Sequence, residues 1–360
     1  MRKIYLTAFF LLAIVYVHAT IRTVSNTPST LAQYNTIQAA INASSNGDTI
    51  YVNGSPNAYA AFTLTNKQLV IIGPGWSPNK NLPFQAIVVG FTMTGASCAN
   101  TEIQGLYFNS SIYIQTSHPD NIRFIRNLFY NLYVYINEGA ATYSGYLFEG
   151  NDFDDAQVQG ATNSTYQNFL FQNNYFHEYG CCVDGNIYGF TNSVNVLFNH
   201  NLWFGPSSNT RNCFVGNCRF LSLTNNIFVR RDAANQNSLS TFNNNITFNC
   251  GTTGDTAWIR NSNINSGGNV AAQDPQMVDQ ASVNAGIDNP LLDFTISSGP
   301  ANNSGSDGKD MGLLYDATGS LNWTTSRTSR LPFIYSMNIT NPTIPQGGTL
   351  SVQVEARKNN

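Results

Sequence analysis

Four side chains able to carry a proton fall within one short stretch of this chain: Asp154, Asp155, His177 and Glu178. Paired carboxyls with a nearby imidazole are the equipment of glycosidic acid/base cleavage, which wants the carboxyls about 5–9.5 Å apart. A second set, Tyr113, Tyr133, Tyr135, Gln157 and Gln159, alternates along short apolar stretches. It joins aromatic faces to amide donors, a combination that suits sugar rings and their hydroxyls. Arg211 and Arg230 add cationic contacts and, with Arg231, are candidates for the base of an elimination reaction. Asp152, Asp154 and Asp155 would then be the carboxylates of a Ca²⁺ site. The same residues also read as solvated turn acids and, for His177, a turn cap. The chain has no zinc-spaced Cys/His set, phosphate loop or Gly-x-Ser-x-Gly elbow, so no metal ligand is assigned beyond that Ca²⁺ option.

What would bring these residues together is a repeat. The pattern apolar, any, apolar, two residues, Asn, any, aromatic returns as Ile122-Arg-Phe124-Ile-Arg-Asn127-Leu-Phe129, then around Asn151, Asn174, Asn201 and Asn226, and in decayed form around Asn245. The asparagines step by 24, 23, 27, 25 and 19 residues (127, 151, 174, 201, 226, 245), within the solenoid range of roughly 20–50 residues. Apolar residues two apart mark short strands. An earlier variant, Ile103-Gln-Gly-Leu106-Tyr-Phe108, has Leu where the asparagine belongs. Stacked in parallel at about 4.8 Å, such coils place each asparagine over the next, so amides bond up the stack beside a column of Phe129, Phe153, Phe176, Trp203 and Phe228. Counted from each asparagine, the third position carries Tyr130, Asp154 and His177, and the fourth Asp155, Glu178 and Arg230. The third strand of each coil, taken as Ile112-Tyr-Ile114, Leu132-Tyr-Val-Tyr-Ile136, Gln157-Val-Gln159, Cys181-Cys-Val-Asp184 and Cys213-Phe-Val215, turns Tyr113, Tyr133, Tyr135, Gln157, Gln159, Cys182 or Asp184, and Phe214 outward.

This repeat resembles the secreted right-handed parallel β-helix proteins of the pectate-lyase-like type, whose coils carry an asparagine ladder. The segment Thr36-Ile-Gln-Ala-Ala-Ile-Asn-Ala43, followed by Gly47-Asp-Thr-Ile50 and Ile71-Ile-Gly-Pro-Gly75, is similar to that family's amino-terminal cap and first coil. The resemblance implies an all-β, right-handed parallel β-helix with an N-terminal capping helix and a short C-terminal β tail. It also implies a saccharide groove floored by the third strands. The scaffold does not choose a reaction, and the near absence of lysine between Lys80 and Lys309 departs from lyases with a catalytic lysine on a middle coil. The organisation expected is a signal peptide at 1–19, cap and first coil at 20–76, repeats at 77–275, a closing coil at 276–320 and a hairpin-like tail at 321–360.

Arg2 and Lys3, the apolar run 4–17 and Val17-His18-Ala19 read as a cleaved secretory signal, which places the protein outside the cell or at its surface. The run is too short for a membrane span, so no membrane insertion is expected after cleavage. Only 10% of residues are charged, while 49 are asparagine, and the net charge is -3. That balance excludes an electrostatic nucleic-acid binder. Six cysteines in a secreted chain allow disulfides, with Cys181 over Cys213 as one candidate pair and buried thiols as the alternative. The partner expected is an extracellular polysaccharide, cleaved by lyase or hydrolase chemistry. The alternative is a non-catalytic glycan-binding, adhesive or surface-structural β-helix. Oligomeric state is not legible.

Overall fold

The computed structural model describes residues 19–28, 30–76, 84–115, 117–177, 185–205, 214–314 and, in the tail, 333–339, 347, 349 and 351–357. The signal-peptide reading therefore lies outside the described residues, apart from its last position. So do Glu178, Cys181, Cys182, Asp184, Arg211 and Cys213.

The alternating apolar residues form short strands that pair in parallel, each coil on the one before. Sheet 1 has 12 strands, sheet 2 has eight, from Ile87–Val88 to Ile246–Phe248, and sheet 3 has seven, from Phe62–Thr65 to Val215–Gly216. The chain is a parallel β-helix of about 9 turns, with the right hand that parallel crossovers take.

Six successive coils turn from sheet 1 into sheet 2 at an asparagine. Asn127, Asn151, Asn174, Asn201, Asn226 and Asn245 each donate both their backbone N–H and side-chain Nδ2 to the Oδ1 of the next rung, over 2.9–3.2 Å. Each such bond contributes roughly 1 kcal/mol net. The last acceptor is Asn269, which the decayed repeat hides. At the other end, the Leu106 N–H donates to Asn127 Oδ1 at 3.0 Å, so the leucine caps the column without breaking it. Beside it run Phe108, Phe129, Phe153, Phe176, Trp203 and Phe228, with ring centroids 4.6–5.8 Å apart. The residue before each of these column positions has a left-handed φ of 51–63°, at Gly105, Arg126, Gly150, Asn173, His200, Asn225 and Asn244. Asparagine and glycine adopt that conformation at little cost, which explains the doubled asparagines and part of the composition.

A helix, α1 (Ile37–Ala43), packs Ile37, Ala40 and Ile41 inward, and the Thr36 hydroxyl accepts from the Ala39 N–H at 3.1 Å. It covers the apolar end of the solenoid, as the spacing predicts. Residues 276–314 return along the outer face of sheet 2. Met277, Val283, Phe294, Ile296, Met311 and Leu313 pack there against outward Tyr175, Leu202, Phe204, Ile227, Val229 and Ile246. In the tail, Phe333–Ile339 and Val352–Arg357 pair antiparallel. Among the described residues, Cys98, Cys218 and Cys250 are buried thiols, and burial pushes Cys218 and Cys250 up to about 12.

Candidate functional site

Sheet 3 turns a row of tyrosines outward. Its strands Ile112–Ile114 and Tyr133–Ile136 bury Ile112, Ile114, Val134 and Ile136, so the alternate residues Tyr113, Tyr133 and Tyr135 stand on the outer face. Tyr113 stacks on Tyr135 at 5.0 Å and 15°, and Tyr135 on Tyr133 at 5.4 Å and 24°. Tyr135 is thus held between two rings and offers its edge and hydroxyl. Tyr113 ends the stack, 43% exposed, with only Thr92 in register on the rung beyond. Burial, with Tyr113 and Tyr133 alongside, raises the Tyr135 hydroxyl above its ordinary value, so it remains a donor at any physiological pH. Gln159 continues the column on one side and Tyr188 follows it, both half-buried.

Three expectations for this face change. Gln157 is buried and donates its amide to the Gly185 carbonyl at 2.7 Å, so it fixes a turn instead of facing out. Phe214 points inward, edge-on to Trp203 and Phe228 at 5.0 and 5.1 Å. The sheet 3 strand of that coil is Ile187–Tyr188, further from Asn174 than counting from the asparagine places it; Cys181–Asp184 lie outside the described residues. Tyr188 was missed for that reason.

The acids lie on the outer face of sheet 2. Asp154 pairs in register with Tyr130 and His177, and Asp152 with Leu128 and Tyr175. His177 is fully buried beneath the returning segment 276–314. Its Nε2 lies 2.5 Å from Asp152 Oδ1, and its Nδ1 lies 2.9 Å from Asp288 Oδ1 in an ion-pair contact bent away from hydrogen-bond geometry. The Tyr175 hydroxyl donates to the same Asp288 oxygen at 2.9 Å, with its ring stacked on the imidazole at 4.1 Å. Burial alone would lower His177, but Asp152 and Asp288 together raise it well above its ordinary value, so it is held as a cation. The two carboxylates take opposite ring nitrogens and do not converge on one point. Among the described residues no three His, Cys, Asp or Glu side chains group to hold a metal ion.

Asp154 is half-buried at the rim of this cluster. Burial pushes its carboxyl up to about 6, Asp152, Asp288 and Asp155 add to the rise, and His177 opposes it. Tyr107 and Tyr130 meet edge-on at 6.1 Å on the adjoining rungs, with Tyr130 exposed. Asp155 occupies a left-handed corner, φ 50°, in line with Asn131 and Arg230. Arg230 directs its guanidinium to the carbonyls of Gly205, Val283 and Asn284 over 2.8–3.3 Å, clamping the returning segment to the solenoid. Arg231 is buried. The structure thus brings Asp154 and His177 together, adds Asp288, which no local pattern signals, and sets them on a different face from the tyrosines.

No protein-family model matches the chain, and no curated protein matches it. Among solved structures it is similar to a rhamnogalacturonan lyase, with 11% identity and a TM-score of 0.40 over 85% of this chain and 98% of that one. It is also similar to an alginate lyase of the PL6 family, with 15% identity and a TM-score of 0.36 over 60% of this chain. The matched region spans 34% of that alginate lyase's chain.

Proposed function

We propose that this protein is a secreted, carbohydrate-recognising β-helix that holds an extracellular polysaccharide along the outer face of sheet 3. The observation that carries this reading is the stack of Tyr113, Tyr135 and Tyr133 on a strip that is otherwise uncharged among the described residues and is continued by Gln159 and Tyr188. Tyr113 supplies a ring face, and Tyr133, Tyr135 and Gln159 supply hydroxyl and amide partners for sugar hydroxyls. Rungs about 4.8 Å apart repeat these contacts along a chain-like ligand. Secretion is supported by the Arg2-Lys3 start, the apolar run after it and Val17-His18-Ala19. A glycan array with the parent protein and Tyr113→Ala, followed by titration of any ligand found, tests the reading. Equal binding by the two proteins on every glycan would remove the tyrosines from the site.

A second reading, cleavage of the bound glycan, is favoured by one observation: Asp154 is half-buried and lifted to about 6 beside the Asp152–His177–Asp288 cluster. A carboxyl in that range exchanges a proton near neutral pH, as a general acid or base must. Assays for new reducing ends and for unsaturated ends, on neutral and acidic polysaccharides, separate hydrolase from lyase chemistry. Absence of turnover on a glycan that binds leaves the binding reading standing alone.

A further inference from the structure

The column through Tyr113, Tyr135, Gln159 and Tyr188 ends in register at Gly216. The next residue, Asn217, turns the chain into an open cavity of about 700 Å³. Asn217, Asn235, Gln236, Asn237, Ser238 and Asn261 belong to its wall, which among the described residues carries amides, hydroxyls and one thiol but no charged side chain. Asn237 is fully buried there, and its Nδ2 has no hydrogen-bond partner.

The corner beside this cavity departs from its own pattern. In register along sheet 1, the corner residues are Asn100, Asn121, Gly145, Asn168, Asn195, Phe220 and Leu239, all with left-handed φ of 54–77°. The first five are the residue types that take this conformation readily. Phe220 and Leu239 are not, and a bulky side chain held there is strained. Phe220 is nevertheless 47% exposed, so core packing does not explain it, and the Arg219 guanidinium lies over its ring at 5.7 Å. It stands two residues after Cys218 of the cavity wall. An exposed aromatic ring close to amide side chains is a combination that suits a sugar ring and its hydroxyls.

We infer that this cavity and Phe220 form an end subsite for an uncharged sugar residue, at the Asn217 end of the strip on sheet 3; the inference rests on the proposed groove. The test is calorimetric titration of the full chain with cellohexaose, mannohexaose and an oligogalacturonate hexamer, using the parent, Phe220→Asn, Asn235→Trp and Tyr113→Ala. Phe220→Asn restores the residue type of the other corners, so its melting temperature should match or exceed the parent's, and lost binding cannot be ascribed to misfolding. Asn235→Trp fills the cavity from a half-buried position. A neutral hexaose should bind the parent, with affinity falling about 5-fold or more in both cavity variants. Neutral binding lost in Tyr113→Ala but unchanged in both cavity variants overturns the subsite and leaves the groove. Binding of the acidic hexamer alone overturns the neutral assignment. Binding unchanged in Tyr113→Ala but lost in both cavity variants keeps the subsite and refutes the groove. No binding of any hexamer by the parent overturns both.

Discussion

Asp154→Asn should make the protein more stable and, if the glycan is cleaved, less active. The Asp154 carboxyl is lifted from 3.8 to about 6, chiefly by burial. At about 1.36 kcal/mol per pKa unit, that rise of about 2 units sets an upper bound of about 3 kcal/mol on the destabilisation from ionising it in the folded state. Because the group is only partly buried, solvent screening cuts this to roughly 1–2 kcal/mol. Between the unfolded and folded values the native state binds more protons than the unfolded state, so this group's contribution to stability falls as pH rises from about 4 to about 6. Asparagine has the same shape and no charge in either state. Its advantage over the parent should therefore be absent near pH 4, grow across that window and hold constant above about pH 7. Urea unfolding of both proteins at intervals from pH 4 to 8 measures it. Superimposed curves at pH 8 would refute the reasoning, because they would mean that water solvates the carboxylate in the folded protein. On a glycan that is turned over, the variant should lose roughly 10²–10⁴ in rate with binding retained.

Asn174→Leu leaves the buried Asn151 N–H, now 2.9 Å from Asn174 Oδ1, without an acceptor and takes a donor from the Phe148 carbonyl. It should cost about 1–3 kcal/mol, and a melt unchanged from the parent's would contradict the role given to the asparagine column. His177, raised by Asp152 and Asp288, contributes stability that is complete below its unfolded value of about 6.5 and is lost as pH rises through its raised folded value. Asp288→Asn should move that alkaline loss to lower pH, and denaturation midpoints measured from pH 6 to 10 would show no displacement if Asp288 does not act on the imidazole. Tyr113→Ala should weaken glycan binding more than Tyr135→Ala, since Tyr113 has the more exposed ring and Tyr135 lies between its neighbours. Loss of one stacking platform is worth on the order of 1 kcal/mol, about 5-fold in affinity, and the reverse ranking in titration would mean that hydroxyls, not ring faces, carry the contact.

The solenoid was legible because its signals are local. Strand period, an asparagine at each corner and an aromatic two residues later need only a few neighbouring residues to be read, and parallel stacking converts that register into columns. The same counting placed Tyr113, Tyr133 and Tyr135 on one face, where coil length is nearly constant. It failed in the coil after Asn174, where the paired strand is Ile187–Tyr188, further along than the count places it, and it failed at Gln157, because alternation gives a side's direction but not the carbonyl that captures it. What no local pattern could reveal is the return of residues 276–314. Alternation marks Tyr175, His177 and Phe204 as pointing away from the solenoid core, which on a bare sheet would mean solvent. The covering segment arrives more than a hundred residues later, with Asp288 meeting Tyr175 across 113 positions. It turns an outward row into a second apolar layer with an ion cluster inside. The acid edge and the tyrosine strip therefore differ in kind. Asp152 and His177 have their charges answered by the protein itself, and Arg230 is engaged in holding the cover down. On the tyrosine strip of sheet 3 the terminal ring, Tyr113, stays exposed, so this face has a ring left to offer a ligand.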